Sequence, residues 1–414
     1  PEAVKARLAI KNFGQPQLVD QIIALDDERK RLQLAFDTTQ AQVNAASKEI
    51  GQHMAKGDKA AAESLKAQVA DWKQSLEPLK LSLAQSEKQL QETLVLLPNL
   101  PTAEVPAGKT PEDNVVVREG GEKPVLANGA KPHWELTQIH GLIDFELGNK
   151  ITGSGFPVYT GKGAKLQRAL VQYFLEFNTA AGYTEYLPPF MVNADSAYAT
   201  GQLPDKEGQM YHATADDFYL IPTAEVPVTN IYRDTILKEA DLPLKMTAYS
   251  PCFRREAGSY GKDVRGLNRL HQFEKVEIIQ IVHPDQSAAT LLDMVAHVEA
   301  LVKSLELPYR ILRLCGGDMG FAAAITYDFE VFSAAQERWL EVSSVSNFES
   351  FQTHRMKCRF KGADGKTQLA HSLNGSSLAL PRILAALLEN HQTPTGIRIP
   401  AALQPYFGSD TIGA

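Results

Sequence analysis

Arg254, Arg255 and Glu256 stand together in the run PCFRREAGSYGKDVRGLNRLHQFEKVEI, where an apolar strand pattern gives way to a Gly- and charge-rich stretch. Apolar alternation resumes with Phe273, Val276 and Ile278. The pattern predicts a strand, a loop carrying Lys262, Asp263, Arg265 and Arg269, and a returning strand. Alternate residues of a strand share a face, so Phe273, Lys275 and Glu277 project together. A solvated hairpin tip explains the loop charges, but it does not explain Arg254 and Glu256 at the strand end or Glu277 inside the next strand. An aromatic ring, a cation and an acid on one face make a poor core and suit the floor of a nucleotide site.

A further guanidinium comes from the C-terminal run SLNGSSLALPRILAALLENHQ, where Arg382 is the one charge in an apolar helical pattern until Glu389. Burying it unpaired would cost several kcal/mol, so it calls for an anion. Between the two arginines lies LEVSSVSN, in which Glu341, Ser343 and Ser344 decorate a strand pattern. Alone this is an ordinary amphipathic strand. Beside two phosphate-binding arginines it offers a carboxylate to a hard cation such as Mg²⁺.

These groups need a scaffold, and 414 residues are enough for two or three domains. A hydrophobic content of 44% suits a globular protein, and no window reads as a membrane span or a signal peptide, which makes the cytoplasm the expected location. The net charge of -7 speaks against a generally basic nucleic-acid binder but permits local basic surfaces. Cys252, Cys315 and Cys358 form no CxxC pair, which excludes a zinc ribbon and predicts buried thiols. The chain opens on Pro1 rather than Met, so an earlier natural start is expected.

From Leu18 to Leu97 the sequence reads as long polar helix with heptads. In the first segment Ile22, Phe36, Val43 and Ile50 fall at position a, with Leu25, Leu32 and Ala46 at d. After a break expected between Gly51 and Asp58, Val69, Leu76, Leu83 and Leu90 recur at a, with Leu65, Trp72 and Leu79 at d. Two such segments predict an antiparallel coiled-coil hairpin roughly 55 to 60 Å long, with a kink at Pro78. Lys59, Lys66, Lys73 and Lys80 recur every seventh residue at position e. They are either partners for acids on the other helix or a stripe facing the phosphates of a nucleic acid.

Residues 98–135 are rich in Pro and Gly and read as a linker between an N-terminal domain, 1–97, and a C-terminal one, 136–414. Strands and helices then follow without regular βαβ spacing, and neither GxGxxG nor GxxxxGK[ST] is present. That predicts an α+β domain on an antiparallel sheet flanked by helices.

The order of parts resembles the bacterial-type seryl-tRNA synthetases, a family of class II aminoacyl-tRNA synthetases, over essentially the whole chain. A helical arm is followed by a helix and strand ending near Pro188, TAE at 223–225, FRxEAG with a loop and HQFxKVE, EVSSxSN, and NGSxLAxxR. Arg255 stands where many members carry Ser, and Ser377 where Gly or Ala is usual. GSGFPVY at 153–159 also departs from the common form.

The resemblance implies a class II catalytic domain, a homodimer and the substrates ATP, L-serine and serine tRNA, with selenocysteine tRNA left open. It implies that Arg254 binds the α-phosphate and the amino-acid carboxylate, that Glu256 accepts from the adenine amino group with Phe273 on the ring, and that Arg382 holds the γ-phosphate. Glu341 and Ser344 would sit at Mg²⁺, with Arg255, Val342 and Ser343 alongside the nucleotide. Thr223, Ala224, Glu225, Arg254, Glu277 and Ser376 would enclose serine, while Lys59, Lys66, Lys73 and Lys80 would face tRNA. The activity implied is ATP-dependent formation of seryl-adenylate and pyrophosphate, then transfer of serine to the tRNA 3′ end. Two other readings remain at this point: a relative that charges a carrier protein, which would have no use for the arm, and a non-catalytic tRNA-binding paralogue, which would have no need of Arg254, Arg382 and Glu341.

Overall fold

The computed structural model describes residues 1–205, 207–257 and 265–413, so Lys262 and Asp263 lie outside the described residues. The chain folds as two compact units, Pro1–Pro98 and Asn99–Ala414.

In the first unit a short helix, α1 (Glu2–Ile10), precedes the two long ones, α2 (Leu18–Ala55) and α3 (Lys59–Leu94). The heptad positions meet as expected. Val43, Ala46 and Val69 are buried, with Ile50, Leu65, Trp72 and Leu76 packed around them. The turn falls within the break expected between Gly51 and Asp58, at its far end, because α2 continues through Gly51 to Ala55. Helix is broken instead by Gly57, whose φ of +80° lies in the left-handed region that favours glycine. Asp58 then caps α3 by accepting from the Ala61 N–H at 3.2 Å. Pro78 lies inside an unbroken α3, where it can give no hydrogen bond back to the Gln74 carbonyl. All four lysines of the stripe are exposed. Lys66 pairs with Glu63 of its own helix at 2.7 Å, and among the described residues none of the four pairs with an acid of α2.

The second unit is built on an eight-stranded sheet. Its strands are β1 (Val115–Gly120), β2 (Thr184–Tyr186), β3 (Leu244–Phe253), β4 (Gln272–Val282), β5 (Tyr309–Arg313), β6 (Ile325–Ser333), β7 (Arg338–Glu349) and β8 (His371–Ala379). They lie in the order β1-β5-β6-β7-β8-β4-β3-β2, antiparallel except where β2 meets β3. β1 comes from the stretch expected to be a linker. Its run Val115, Val116 and Val117 is a short strand signal inside Pro- and Gly-rich surroundings, and pairing with β5, nearly two hundred residues on, supplies its backbone partners. Helices α4 (His133–Ile139), α5 (Gly161–Ala180), α6 (Glu225–Thr229), α7 (Ser287–Ser304), α8 (Phe351–Arg355) and α9 (Leu380–Asn390) accompany the sheet.

Register decides which side chains meet. β4 lies between β3 and β8, with Glu277 opposite Ala248 on one side and Ser376 on the other. A register shift between Lys275 and Glu277 realigns β4 with β8 at this point. Beyond Glu277 the face turns apolar: Ile279 and Ile281 join Ala224, Val228, Met246 and Ala248 in a buried cluster. The three cysteines are buried and unbridged, as expected. Among the described residues no helix is long and apolar enough to cross a membrane.

Candidate active site

A cavity of about 730 Å³ opens over the middle of the sheet. It is lined by Thr223 and Glu225 from the turn into α6, by Arg254 and Glu256 beyond β3, and by Phe273, Lys275 and Glu277 of β4. Glu341 to Ser344 of β7, Ser376 of β8 and Arg382 of α9 complete it. Strand alternation therefore brings Phe273, Lys275 and Glu277 to one cavity. Ala224 and Arg255 do not line it. Ala224 is fully buried in the apolar cluster, and Arg255 is exposed, its backbone N–H donating to the Gln209 carbonyl at 2.9 Å.

At one end of the cavity two acids and one base are buried together. Lys275 lies 2.6 Å from Glu277 Oε2, with Glu277 only 1% exposed. The Thr223 hydroxyl donates to the same oxygen at 3.2 Å and accepts from the Glu225 N–H at 3.2 Å. Gln352 of α8 stands behind Glu225, its Nε2 donating to Oε1 at 2.5 Å. The Gln352 Oε1 in turn accepts from the Ser372 hydroxyl at 2.7 Å. Burial, and then the nearby Glu277, pushes the Glu225 carboxyl up to about 7. Burial also raises Glu277, although Lys275 and Thr223 oppose the shift. With both acids ionised the cluster carries one negative charge more than Lys275 cancels, and a ligand cation would complete it.

The other end is anionic on one wall and cationic on the other. Arg254 holds its guanidinium 5.2 Å from the Phe273 ring centroid and donates from Nε to the Pro222 carbonyl at 3.4 Å. Glu256 follows with a φ of +50°, unusual for a residue with a side chain, and accepts from Arg269 at 2.9 Å. Arg382 is half-buried rather than enclosed. It donates to the Asn268 carbonyl at 3.1 Å and to the Glu341 carbonyl at 2.8 Å, with the Glu341 carboxylate 3.7 Å away. Its apolar helix therefore does not leave it unpaired, because the first turn of α9 projects it into the cavity.

Glu341 is exposed to the cavity, and Ser344 faces Asp328 across the β6–β7 pair. Asp328 has a buried Oδ1 without a partner, and burial together with Glu341 holds its carboxyl well above the ordinary carboxylate range. Asp328, Gln352 and Asn268 were not singled out by sequence reasoning. Asp328 could have been found from its alternation with Glu330 on a strand facing EVSS. Nothing local to Gln352 or Asn268 marks them, because their roles arise from partners far along the chain.

The shift at Glu225 has a sign that can be tested. The folded state holds the proton more tightly than the unfolded chain, whose carboxyl sits near 4.5, so this contribution to stability is fully present below that pH and is lost as pH rises through about 7. Glu225→Gln stays neutral throughout. Its melting temperature relative to the unsubstituted protein should therefore rise by a few degrees between pH 5 and pH 8. A difference that is flat with pH would show that Glu225 is not desolvated.

Comparison with known proteins agrees with this architecture. Residues 210–391 match the family model for the tRNA synthetase class II core domain (G, H, P, S and T), and residues 1–101 match that for the seryl-tRNA synthetase N-terminal domain. The chain is 50% identical to a serine–tRNA ligase of Salinibacter ruber, covering 100% of this chain and 97% of that one. It is 47% identical to a serine–tRNA ligase of Akkermansia muciniphila, covering 100% and 96%. Among solved structures it resembles the seryl-tRNA synthetase of Pyrococcus horikoshii complexed with ATP, with a TM-score of 0.92, 32% identity and coverage of 100% and 97%. With both parts matched and relatives aligned end to end, the chain belongs to the seryl-tRNA synthetase family of class II aminoacyl-tRNA synthetases.

Proposed function

We propose that this protein is a serine–tRNA ligase: it joins L-serine to ATP, giving seryl-adenylate and pyrophosphate, and then passes the seryl group to the 3′ end of serine tRNA. The observation that carries this reading is the convergence in one cavity of an uncompensated buried carboxylate, at Glu225 and Glu277, with two arginines, Arg254 and Arg382. The carboxylates suit an amino acid's ammonium, and the arginines suit its carboxylate and the phosphates of ATP. Relatives named as serine–tRNA ligases, one solved with ATP and another with AMP, support the same substrates.

The chemistry is positioning plus electrostatics. Glu225 and Glu277 hold the ammonium, with Lys275 fixing the Glu277 carboxylate. Thr223 and Ser376 stand beside them for the serine hydroxyl. Arg254 binds the serine carboxylate and the α-phosphate, bringing the attacking oxygen in line and stabilising the charge that develops on phosphorus as pyrophosphate leaves. Glu256 accepts from the adenine amino group, and Arg382 holds the γ-phosphate. Phe273 offers its ring to adenine, with the Arg254 guanidinium over one face.

The residues at Glu341 also suit Mg²⁺. The partnerless Asp328 Oδ1, the Glu341 carboxylate and the Ser344 hydroxyl make a wall of hard oxygens. No group of three or more His, Cys, Asp or Glu side chains among the described residues forms a ready metal cage, which leaves room for the waters and phosphate oxygens that Mg²⁺ keeps. When bound, the ion would neutralise phosphate charge. A homodimer and a cytoplasmic location belong to the same reading.

Exchange of pyrophosphate into ATP, run with each amino acid in turn, tests it. Serine should support exchange and alanine should be rejected on the order of 10⁴-fold, because alanine leaves buried polar groups unpaired. Arg254→Ala should lower serine-dependent exchange by at least ~10²-fold while the protein stays folded. Exchange driven equally by alanine, or undiminished in Arg254→Ala, would contradict the reading.

For the arm, the exposed lysines without cross-helix partners favour a phosphate-facing stripe. Replacing Lys59, Lys66, Lys73 and Lys80 by Gln should flatten the log-log salt dependence of tRNA binding by about 0.7 to 0.9 for each phosphate that a lysine no longer neutralises. An unchanged slope would leave the stripe as ordinary helix surface.

A further inference from the structure

Outside the cavity, a buried histidine–glutamate pair remains unexplained by the chemistry above. His133, at the start of α4, and Glu389, near the end of α9, are both fully buried, with the ring Nδ1 2.7 Å from Glu389 Oε1. The same oxygen accepts from the His133 N–H at 3.0 Å and from Gln336 Nε2 at 3.0 Å, and Oε2 accepts from the Ser333 hydroxyl. Burial works against the Glu389 charge, but these donors prevail and hold its carboxyl below the ordinary range.

The far side of the imidazole points at the chain returning from the loop after β3. The Leu267 N–H donates to His133 Nε2 at 2.9 Å, which makes Nε2 the acceptor and places the ring proton on Nδ1, toward Glu389. Two neighbours of Leu267 dock on the same helix end. The Arg265 guanidinium lies 4.9 Å from the Trp134 ring centroid. Gly266, at φ +68°, comes so close that a Cβ there would lie 2.2 Å from His133 Nε2. The next residue, Asn268, donates from Nδ2 to Gln336 Oε1 at 3.0 Å and accepts from Arg382 Nε through its carbonyl at 3.1 Å.

We propose that His133 and Glu389 are positioning residues for the nucleotide: the pair clamps residues 265–268, and through the Asn268 carbonyl it sets the guanidinium of Arg382. This rests on the reading of the cavity as an ATP site. An apolar pair could join α4 to α9 as firmly, but it could not accept the Leu267 N–H or fix where the Asn268 carbonyl points. The clamp works as a chain of directional bonds from Glu389 to the imidazole, to the backbone of Leu267 and Asn268, and to Arg382. Leu267 and Asn268 themselves line the cavity, so a shift in this segment changes the wall that meets ATP.

The test is serine-dependent pyrophosphate exchange with the full chain, comparing three substitutions. His133→Asn keeps a donor toward Glu389 but removes the acceptor for Leu267. His133→Gln places an amide oxygen near the position of Nε2. Gly266→Ala leaves the pair intact and pushes the 265–268 segment off the ring. His133→Asn and Gly266→Ala should each raise the KM for ATP about tenfold, the size of one lost hydrogen bond to a buried partner, with the KM for serine within about twofold. His133→Gln should bring the KM for ATP back to within about threefold of the unsubstituted protein.

Three results would overturn the clamp: an unchanged KM for ATP in Gly266→Ala, equal effects of His133→Asn and His133→Gln, or equal rises for ATP and serine. If His133→Asn does not fold, Gly266→Ala decides alone. Absence of serine-dependent exchange in the unsubstituted protein would instead refute the reading of the cavity.

Discussion

Two buried carboxylates, Glu225 and Glu277, share one buried ammonium, Lys275, and that imbalance organises the site. An unpaired charge inside a protein is costly, so Glu225 keeps its proton up to about pH 7, and an arriving cation would favour the ionised form. The Thr223 hydroxyl links the Glu277 carboxylate to the Glu225 backbone N–H, and Gln352 holds the Glu225 carboxylate from behind. The cluster sits where β4 is flanked on both sides by paired strands, which fixes its backbone. Arg254 extends the electrostatics along the cavity, from the buried carboxylates toward Arg382.

The sheet does most of the positioning by register alone. Pairing Glu277 with Ser376 brings β8 to the end of the cavity that holds Glu225 and Glu277, and pairing Asp328 with Ser344 brings the oxygen-rich wall to the other. Arg382 arrives differently, from the first turn of a helix whose remaining residues are buried. Its direction is set by backbone carbonyls of Asn268 and Glu341 rather than by packing. A guanidinium held by carbonyls keeps its charge available to an incoming anion, whereas a tight carboxylate pair would largely cancel it. The 3.7 Å gap to the Glu341 carboxylate fits that arrangement.

Features with a short period are legible in the sequence. The heptads mark the arm, and the two-residue repeat of β4 places Phe273, Lys275 and Glu277 on one wall. Features that depend on distant partners are not. β1 reads as linker because its three valines, Val115 to Val117, are a short strand signal outweighed by Pro- and Gly-rich surroundings, and its pairing with the distant β5 makes it part of the sheet. Gln352 and His133 lie in unremarkable helical contexts, yet each holds a charged group more than a hundred residues away. The break expected between Gly51 and Asp58 falls at the far end of that range, because a single glycine such as Gly51 in a long, well-packed helix costs only about 1 kcal/mol, and it is Gly57 that supplies the left-handed residue.

If the buried carboxylates wait for the ammonium of the amino acid, serine binding must move a proton. Titration calorimetry of serine binding at pH 7, repeated in buffers of different ionisation enthalpy, measures this directly. Near its midpoint of about 7, Glu225 is partly protonated, and an arriving cation lowers its affinity for the proton. Release of a fraction of a proton per serine bound is expected. Release should disappear in Glu225→Gln. No release, proton uptake, or the same release without the Glu225 carboxylate would contradict a site built to await a cation.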